Sequence, residues 1–336
     1  MKRKVVSGLL SAVMVISMLA GCGKSDDTDV SSAQAKDNKS SGDKLEIGSV
    51  IMNTSGEWFA EVIQGMEGAA KKLDVSLSIV SSDNEVSKES DNVSTFVAEQ
   101  VDALCISPLS TDASAAAIES AKEAGIPVIN WNTTVDTDTD GFVGVSNNKL
   151  GGMTGEYVAE YVKENFPEGC KMALLTNSSY EVGVERCKGF EDAVKGVKGL
   201  EIVASQDAES QEEGLDITEQ ILTANPDIDL IWAWNQTSLL GCVAALQNAG
   251  NKDIVVMGTD MSVELAKDML GDDVKLQAIT TQMPYDIGYT AVENAVKAAK
   301  GEDIEKETLV PLKTYAKDQT DELETYIEEH KGLAEE

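Results

Sequence analysis

Short apolar runs alternate along this chain with longer segments in which apolar residues recur at helical spacing. The first run is Leu45–Met52, and the segment Trp58–Leu73 that follows has the periodicity of an amphipathic helix. The alternation pauses after the run Val143–Val145 and restarts with the helical segment Leu150–Asn165. Because apolar strands separated by helices form parallel sheets covered on both faces, the pattern predicts an α/β fold with two doubly wound parallel-sheet domains.

The other predicted elements follow the same alternation, and Gly125 and Pro127 mark one turn from helix to strand. The remaining predicted strands are Ser76–Val80, Ala103–Ser107, Pro127–Trp131, Met172–Leu175, Leu200–Ala204, Leu230–Trp232, Ile254–Met257, Leu276–Ile279 and Leu309–Leu312. The remaining predicted helices are Val86–Gln100, Asp112–Ala124, Val184–Lys195, Glu213–Thr223, Ser238–Asn248, one that starts near Ser262, and Tyr285–Ala299.

The predicted architecture also says where a ligand would bind. Right-handed crossovers bring the carboxyl ends of parallel strands to one edge of each sheet, and ligands bind at that edge or in a cleft between two domains. Asn235 and Asp260 each end a predicted strand. The first turn, residues 53–57, has a single glycine and matches neither GxGxxG nor GxxxxGK[ST], which argues against a nucleotide ligand.

The N-terminus has the parts of a bacterial secretory signal, with basic residues at Lys2–Lys4, an apolar stretch over Val5–Leu19, and small residues before a cysteine. The Leu-Ala-Gly-Cys sequence that ends at Cys22 resembles the lipobox of bacterial lipoproteins. That resemblance implies a signal peptide over residues 1–21, lipidation of Cys22 and a location on the extracytoplasmic face of the cell membrane. The alternatives are a secreted protein with a chance cysteine and an uncleaved membrane helix, although the apolar stretch is short for a span. Residues 22–43 are rich in Ser, Asp, Lys and Gly and are predicted to form a flexible tether.

The chain is strongly acidic, with 59 acidic and 27 basic residues and a formal net charge of −32. A surface of this sign repels nucleic acid and anionic head groups, so we expect no nucleic-acid partner. The acidic residues are spread along predicted helices, which is typical of solvated faces in a soluble protein, and we expect a monomer.

Cysteine and histidine usage excludes several kinds of site. Apart from the lipobox cysteine, Cys105 and Cys242 lie among apolar or small residues and are expected to be buried. Cys170 and Cys187 could pair, which the sequence does not decide, and no CxxC spacing indicates zinc or a redox motif. The one histidine, His330, lies in a charged C-terminal segment. Without a nucleophile–base set, a histidine cluster or a phosphate loop, we expect neither an enzyme nor a cofactor.

An acidic turn, Asp136-Thr137-Asp138-Thr139-Asp140-Gly141, matches the first half of a calcium-binding loop. An EF-type loop needs a bidentate glutamate at its twelfth position, and Asn147 stands there. We therefore interpret the segment as a solvated turn, with calcium bound by Asp136, Asp138 and Asp140 as the weaker alternative.

Several short motifs, in this order and spacing, resemble one known family from about Leu45 to Lys313. They are Trp58-Phe59, Ile126-Pro127-Val128-Ile129, Asn147-Asn148-Lys149-Leu150-Gly151-Gly152, Glu185-Arg186-Cys187-Lys188-Gly189-Phe190, Asn235 before a Leu-Leu-Gly helix, Gly258-Thr259-Asp260 and Gln282-Met283-Pro284. The family is that of the ribose- and galactose-type periplasmic sugar-binding proteins, whose fold is shared with the sensor domains of Lac-repressor-like regulators. The resemblance implies a type I periplasmic binding protein, with two lobes joined by a three-strand hinge near Asn147, Gln282 and Lys313. The implied lobes are residues 44–147 plus 283–313 and residues 148–282 plus 314–336.

The resemblance also implies ligand-binding residues on both sides of the cleft, which are Trp58, Phe59, Asn132, Arg186, Trp234, Asn235, Asp260 and Gln282. A sugar ring presents C–H groups on its faces and hydroxyls at its rim, so it needs aromatic rings and fixed polar groups. Trp58 occupies the family's stacking position, and Trp234 or Trp131 could cover the opposite face. Arg186 corresponds to the family's arginine, whose fork can donate to two hydroxyls. The structural alternatives are tryptophans in the core, Arg186 paired with Glu181 or Glu185, and Asp260 as a helix N-cap.

The sequence departs from the ribose-type pattern in three places. Asn132-Thr133 stands where the family often has Asp-Arg, Gln236 stands where Asp often follows the capping asparagine, and the aromatic residue expected near Ala208–Glu212 is missing. Fewer charges therefore reach the rim of the ligand, and a hexose, a deoxy sugar, a polyol or another small polar solute stay open beside ribose.

The sequence therefore predicts a lipid-anchored solute-binding protein that captures a small carbohydrate and delivers it to the permease of an ABC importer. The alternative is a sugar-sensing module that presents its ligand to a membrane receptor kinase. The segment Asp318–Glu336 extends beyond the resemblance, and its spacing predicts an acidic amphipathic helix with Leu323 and Ile327 facing inward.

Overall fold

A computed structural model of the chain describes residues 44–330. The predicted signal peptide 1–21, Cys22 with the predicted tether 22–43, and residues 331–336 lie outside the described residues. The strands are β1 (Glu46–Ile51), β2 (Ser76–Ser81), β3 (Ala103–Ile106), β4 (Val128–Trp131), β5 (Gly141–Gly144), β6 (Cys170–Thr176), β7 (Leu200–Asp207), β8 (Leu230–Ala233), β9 (Val255–Thr259), β10 (Lys275–Thr281), β11 (Glu307–Leu309) and β12 (Lys313–Ala316). The helices are α1 (Glu57–Leu73), α2 (Val86–Glu99), α3 (Ala115–Glu123), α4 (Asn147–Asn165), α5 (Glu181–Val194), α6 (Gln211–Ala224), α7 (Gln236–Asn248), α8 (Val263–Leu270), α9 (Pro284–Ala299) and α10 (Thr320–His330).

The strands form two six-stranded sheets of matching topology, with the orders β11-β5-β4-β3-β1-β2 and β12-β10-β9-β8-β6-β7. Neighbouring strands are parallel except for β12, which pairs antiparallel with β10 at the edge of the second sheet. The prediction of two doubly wound α/β domains is therefore confirmed. We call the first sheet with α1, α2, α3 and α9 the first lobe, and the second sheet with α4 to α8 and α10 the second lobe.

Helices cover both faces of each sheet, which explains why the strands read as continuous apolar runs. In the first lobe, one core lies under α1 and α9 and another under α2 and α3. Strand β8 shows the division in the second lobe. Leu230 and Trp232 join the core under α4 and α5, whereas Ile231 and Ala233 join the core under α6, α7, α8 and α10.

The chain passes between the two sheets three times: from β5 into α4, from β10 into α9, and from β11 into β12. The lobe boundaries given above, at residues 147, 282 and 313, stay a prediction. Because β4, β5, β9 and β10 run parallel within their sheets, the polar residues after them collect at the carboxyl edge of each sheet.

Two glycines bring α4 and α5 into close contact and so set the position of Arg186. A Cβ on Gly151 would meet the backbone oxygen of Arg186 at 1.9 Å, and a Cβ on Gly189 would meet the backbone oxygen of Asn148 at 1.9 Å. Side chains at these two places would force the helices apart. The close approach holds the first turn of α4 beside Arg186.

The cysteines and the C-terminal helix answer two questions left by the sequence. Cys105, Cys170, Cys187 and Cys242 are all free and buried, so the pairing of Cys170 with Cys187 is not formed. In α10, Leu323 is fully buried and Ile327 packs partly buried against the second-lobe core, which confirms the predicted inward face.

Among residues 44–330, no helix is long and apolar enough to cross a membrane.

Candidate functional site

Polar side chains of the second lobe form one hydrogen-bonded cluster at the carboxyl edge of its sheet. Arg186 donates from Nη1 to Asp260 Oδ2 at 2.5 Å and from Nε to Asn147 Oδ1 at 2.8 Å. Gln282 donates from Nε2 to the other oxygen, Asp260 Oδ1, at 2.9 Å. Arg186 is 6% exposed and Asp260 is 7% exposed. A buried charge without a partner is strongly unfavourable, so Arg186 and Asp260 must stay paired. The ion pair is therefore a permanent part of the site.

Asp260 and Asn132 occupy equivalent places in the two lobes. Asp260 directly follows β9 and Asn132 directly follows β4, and each of these strands is the fourth from one edge of its sheet. Both residues have a left-handed backbone, with φ angles of 66° and 64°. Asp and Asn tolerate this conformation better than other residues with a side chain. Backbone strain at matching strand ends is typical of functional positions and agrees with placing the site at this edge.

Trp234 and Asn235 support the cluster from the end of β8. The Trp234 indole donates from Nε1 to the backbone oxygen of Ala208 at 2.7 Å, and its ring lies 5.7 Å from the Arg186 guanidinium carbon. The Trp234 backbone oxygen accepts from Arg186 Nη1 at 3.2 Å. Asn235 caps α7, because its side-chain oxygen accepts from the Ser238 backbone N–H at 2.9 Å. Trp234 therefore fixes the position of the Arg186 guanidinium, and the side-chain oxygen of Asn235 is used to cap α7.

The first lobe contributes aromatic rings at the start of α1. Trp58 stacks on Trp131, with ring centroids 6.4 Å apart and 24° between the planes. Phe59 meets Trp58 edge to face at 4.9 Å. Trp131 is fully buried in the first-lobe core, whereas Trp58 and Phe59 pack partly buried against it. Trp131 is thus the base on which the more exposed Trp58 ring rests.

A direct contact between the lobes brings these two walls together. Glu57, the residue before Trp58, accepts at Oε1 from the backbone N–H of Val263 at 2.9 Å. Val263 is the first residue of α8 and lies three positions after Asp260. A carboxylate at a helix N-terminus is favourable, although burial raises the pKa of Glu57 above its ordinary value. The start of α1 therefore lies against the segment that follows Asp260, and we call the space between the two carboxyl edges the cleft.

Three buried polar atoms of this site have no hydrogen-bond partner among residues 44–330, namely Trp58 Nε1, Trp131 Nε1 and Gln282 Oε1. The two indole nitrogens are donors and the amide oxygen is an acceptor, and such atoms cost free energy until a ligand or water forms a hydrogen bond with them. The Arg186 nitrogens Nε and Nη1 are committed to protein acceptors. Nη2 is the guanidinium nitrogen that has no acceptor in the described part of the chain.

The acidic turn is held by lysines. Asp138 pairs with Lys122 at 2.9 Å and with Lys306 at 3.1 Å, which lowers its pKa. Asp140 accepts from the Val128 backbone N–H at 2.8 Å. No group of three or more metal-ligating side chains in the described residues is placed to hold a metal ion. The geometry therefore does not support calcium bound by Asp136, Asp138 and Asp140.

Sequence reasoning brought Arg186, Asp260 and Gln282 into one site but did not single out Glu57. It named Asn147 only as part of a motif and a hinge position. Glu57 was visible only as an acidic residue in a first helical turn, and its partner lies 206 positions away. The nearest signal for Asn147 was its place at the predicted hinge, where it is the first residue of α4.

The family described as periplasmic binding protein domain matches residues 47–303, which include parts of both lobes. The ABC transporter periplasmic-binding protein YphF of Escherichia coli is 31% identical over 284 residues, covering 82% of this chain and 86% of that protein. The ribose import binding protein RbsB of the same organism is 32% identical over 276 residues, covering 82% of this chain and 91% of that protein. These relatives are binding proteins of transport systems and not enzymes.

A similar solved structure is the periplasmic solute binding protein of an ABC transporter from Actinobacillus succinogenes with bound D-allose. It is 28% identical, has a TM-score of 0.75, and is matched over 83% of this chain and 100% of that chain. Because 83% of the chain is more than either lobe contains, the match includes residues of both lobes.

Proposed function

This chain belongs to the periplasmic binding protein domain family, and from that premise we propose that it captures a small uncharged carbohydrate in the cleft and delivers it to an ABC importer. The observation that carries the proposal is the composition of the two walls. One wall has the stacked pair Trp58 and Trp131, and the other has the buried cluster of Arg186, Asp260 and Gln282. A flat apolar surface facing fixed donors and acceptors suits a sugar ring.

The charge balance of the cluster favours a neutral ligand. The Arg186 charge is already compensated by Asp260, so an anionic ligand would bring a second negative charge to a buried arginine that is already paired. Hydroxyl groups avoid this cost because they donate and accept. A hydroxyl could accept from Arg186 Nη2 or donate to Gln282 Oε1, the buried acceptor without a partner.

Relatives support a monosaccharide or polyol without selecting one. The Escherichia coli relative is named for ribose, a pentose, and the Actinobacillus succinogenes structure holds D-allose, a hexose. This chain has Asn132 and Thr133 at the end of β4, where the ribose-type pattern often has Asp and Arg. Asn132 and Thr133 offer the ligand hydroxyls fewer charged partners than Asp and Arg would. We therefore propose that the preferred ligand of this chain differs from ribose.

Binding would couple to closure of the lobes. A ligand that contacts Trp58 and Asn132 on one side and Arg186 and Asp260 on the other stabilises only the closed form. The three connections between the sheets are the hinge in this proposal.

We also propose that lipidation of Cys22 keeps the protein at the extracytoplasmic face of the membrane, where the importer can receive the ligand.

A thermal-shift screen of the full chain tests the proposal. The panel is D-ribose, D-allose, D-galactose, myo-inositol and, as charged competitors, D-gluconate and an amino acid. At a concentration one hundred times the Kd, a true ligand adds about 2.7 kcal/mol to the free energy of unfolding and raises Tm. We expect at least one neutral sugar or polyol to do so. A shift with charged solutes alone would contradict the proposal.

A matched pair of variants shows whether a positive result comes from the cleft. At the same ligand concentration, Asp260→Asn should lower the ligand-dependent part of the stabilisation from about 2.7 kcal/mol to below about 1 kcal/mol. Asp192→Asn alters the exposed ion pair between Lys188 and Asp192 on α5, the same helix that carries Arg186. Because exposed ion pairs contribute little to the free energy of unfolding, and this one lies outside the ligand cluster, the variant should keep the ligand-dependent shift in Tm of the wild type.

A further inference from the structure

A second set of contacts joins the lobes away from the ligand cluster. Tyr326 donates its hydroxyl to Glu61 Oε1 at 3.4 Å, and His330 Nε2 lies 3.6 Å from Glu61 Oε2. The His330 ring stacks on Tyr326 with centroids 4.0 Å apart. Glu61 lies on α1 of the first lobe, whereas Tyr326 and His330 lie on α10, which packs on α8 of the second lobe. These contacts therefore exist only while the two lobes are together.

Glu61 is an unusual residue for this position. Its side chain is buried, with the residue 4% exposed, and within residues 44–330 none of its contacts is with a lysine or arginine. Burial and, less strongly, the nearby Glu57 raise the pKa of Glu61 to about 8, while the hydrogen bond from the Tyr326 hydroxyl acts in the opposite direction. Separation of α1 from α10 would return the carboxyl to water, where its pKa falls toward the ordinary value of 4.5.

We infer that Glu61, Tyr326 and His330 form a proton-sensitive clasp that holds the lobes closed, so that a carboxyl outside the cleft helps to set ligand affinity. The clasp rests on the proposed function in one respect, because it assumes that ligand binding and lobe closure are coupled. It gives the C-terminal helix, which lies beyond the family match, a role in the binding cycle. Glu61, Tyr326 and His330 act through closure, so they are positioning residues and do not touch the ligand.

The sign of the pH dependence follows from proton linkage. Between pH 4.5 and about 8, the closed form holds a proton on Glu61 that the open form releases. The contribution of Glu61 to closure is complete below about pH 4.5 and is lost as the pH rises through about 8. His330 on α10 faces Glu61 directly, with its Nε2 3.6 Å from Glu61 Oε2. From the neighbouring elements, Glu57 on α1 faces Glu61 directly, while Glu264 and Lys267 on α8 act on Glu57.

The first experiment needs no ligand. Small-angle X-ray scattering of the full chain measures the radius of gyration at pH 6.5 and pH 8.5, for the wild type and for Glu61→Gln, which mimics the protonated carboxyl. We expect the wild type to be more extended at pH 8.5 and the variant to be equally compact at both values. A wild-type radius of gyration that does not change, or an equal change in the variant, would overturn the clasp.

The second experiment measures binding of the best sugar from the thermal-shift screen by calorimetry. One linked proton changes affinity by at most about tenfold per pH unit, and pKa values of about 8 in the closed form and 4.5 in the open form limit the change between pH 8.5 and pH 6.5 to about 25-fold. The wild type should bind more tightly at the lower pH and take up part of a proton on binding, detected by titration in buffers of different ionisation enthalpy. Glu61→Gln should show neither effect.

Glu89→Gln is the matched control. Glu89 is also fully buried with a raised pKa, but it lies on α2 and accepts from the Leu109 backbone N–H within the first lobe. This variant should keep the wild-type pH dependence of scattering and affinity, and loss of that dependence would contradict the assignment to Glu61. If no sugar binds to any variant while the scattering changes as expected, the proposed ligand is wrong and the clasp stands.

Discussion

Replacing Asp260 by asparagine tests the ion pair at the centre of the site. The change keeps the size of the side chain, its acceptor for Gln282 Nε2, and a residue type that tolerates the left-handed backbone at φ 66°. Alanine would remove the acceptor and strain the backbone as well. What Asp260→Asn removes is the charge opposite Arg186, whose Nη1 lies 2.5 Å from Asp260 Oδ2.

The expected cost follows from the burial of the pair. An arginine that is 6% exposed and loses its carboxylate is a buried uncompensated charge, so the free energy of unfolding should fall by about 3–5 kcal/mol. Affinity should fall by roughly 2–4 kcal/mol, since the ligand loses a charge-assisted partner and meets an unbalanced guanidinium. That loss equals an increase in Kd of about 30- to 900-fold.

Calorimetry of the full chain with its best sugar ligand measures the affinity, and urea unfolding measures the stability. Asp192→Asn, in the exposed ion pair with Lys188, is the control and should change both free energies by less than about 1 kcal/mol. A folded Asp260→Asn protein with wild-type Kd would show that the ion pair does not contact ligand, and the reasoning about the second-lobe wall would be refuted.

Three further predictions concern the aromatic wall, the helix contact and the anchor. Trp58→Ala should raise the Kd for sugar at least about tenfold in calorimetry, whereas Trp232→Phe, in the second-lobe core, should lower Tm and leave the Kd within about twofold. Gly151→Ala should lower the free energy of unfolding by about 1–3 kcal/mol in urea and weaken binding, because its Cβ would meet a backbone oxygen of α5 at 1.9 Å. Gly152→Ala, whose Cβ would have its nearest contact at 3.6 Å, should keep both values, and equal losses in the two variants would contradict the packing argument. Cys22→Ser should move the protein from the membrane fraction to the soluble fraction in cell fractionation, and an unchanged distribution would contradict lipidation.

The apolar pattern predicted the fold well because the central strands β3, β4, β8 and β9 are buried on both faces, so burial and sequence period agree there. The pattern failed where the chain changes lobes. The run Leu309–Leu312 is continuous in sequence, but only Leu309 lies in a strand, as the last residue of β11, and the rest forms the connection to β12 in the other sheet. Pro311 lies in the connection and has no N–H for a strand ladder. Val310 and Leu312 pack in the first-lobe core although they are not in a strand, so their hydrophobicity indicates burial and not strand structure.

Helix starts were less predictable than helix bodies for a similar reason. The apolar spacing placed the start of α4 at Leu150, whereas the helix begins at Asn147. Ser146 caps it by accepting from the Lys149 backbone N–H at 3.2 Å. The first turn is polar, so the apolar spacing could not detect it, although the serine cap is a signal that could have been used.

The site shows the same division between local and long-range information. Arg186, Asp260 and Gln282 were predicted because they belong to motifs of a known family, and the structure brings them together. Glu57 and Glu61 were not predicted, because their importance comes from the opposite lobe. The partner of Glu61, Tyr326, lies 265 positions further along the chain. No periodicity or motif relates residues at that separation, and only the folded arrangement of the lobes does.

A crystal structure of the full chain with the best sugar from the thermal-shift screen tests the central claim most directly. We predict that the sugar lies in the cleft, with one face of its ring on Trp58 and its hydroxyls within hydrogen-bond distance of Arg186 Nη2 and Gln282 Oε1. A sugar bound elsewhere, or one that contacts only a single lobe, would contradict the account.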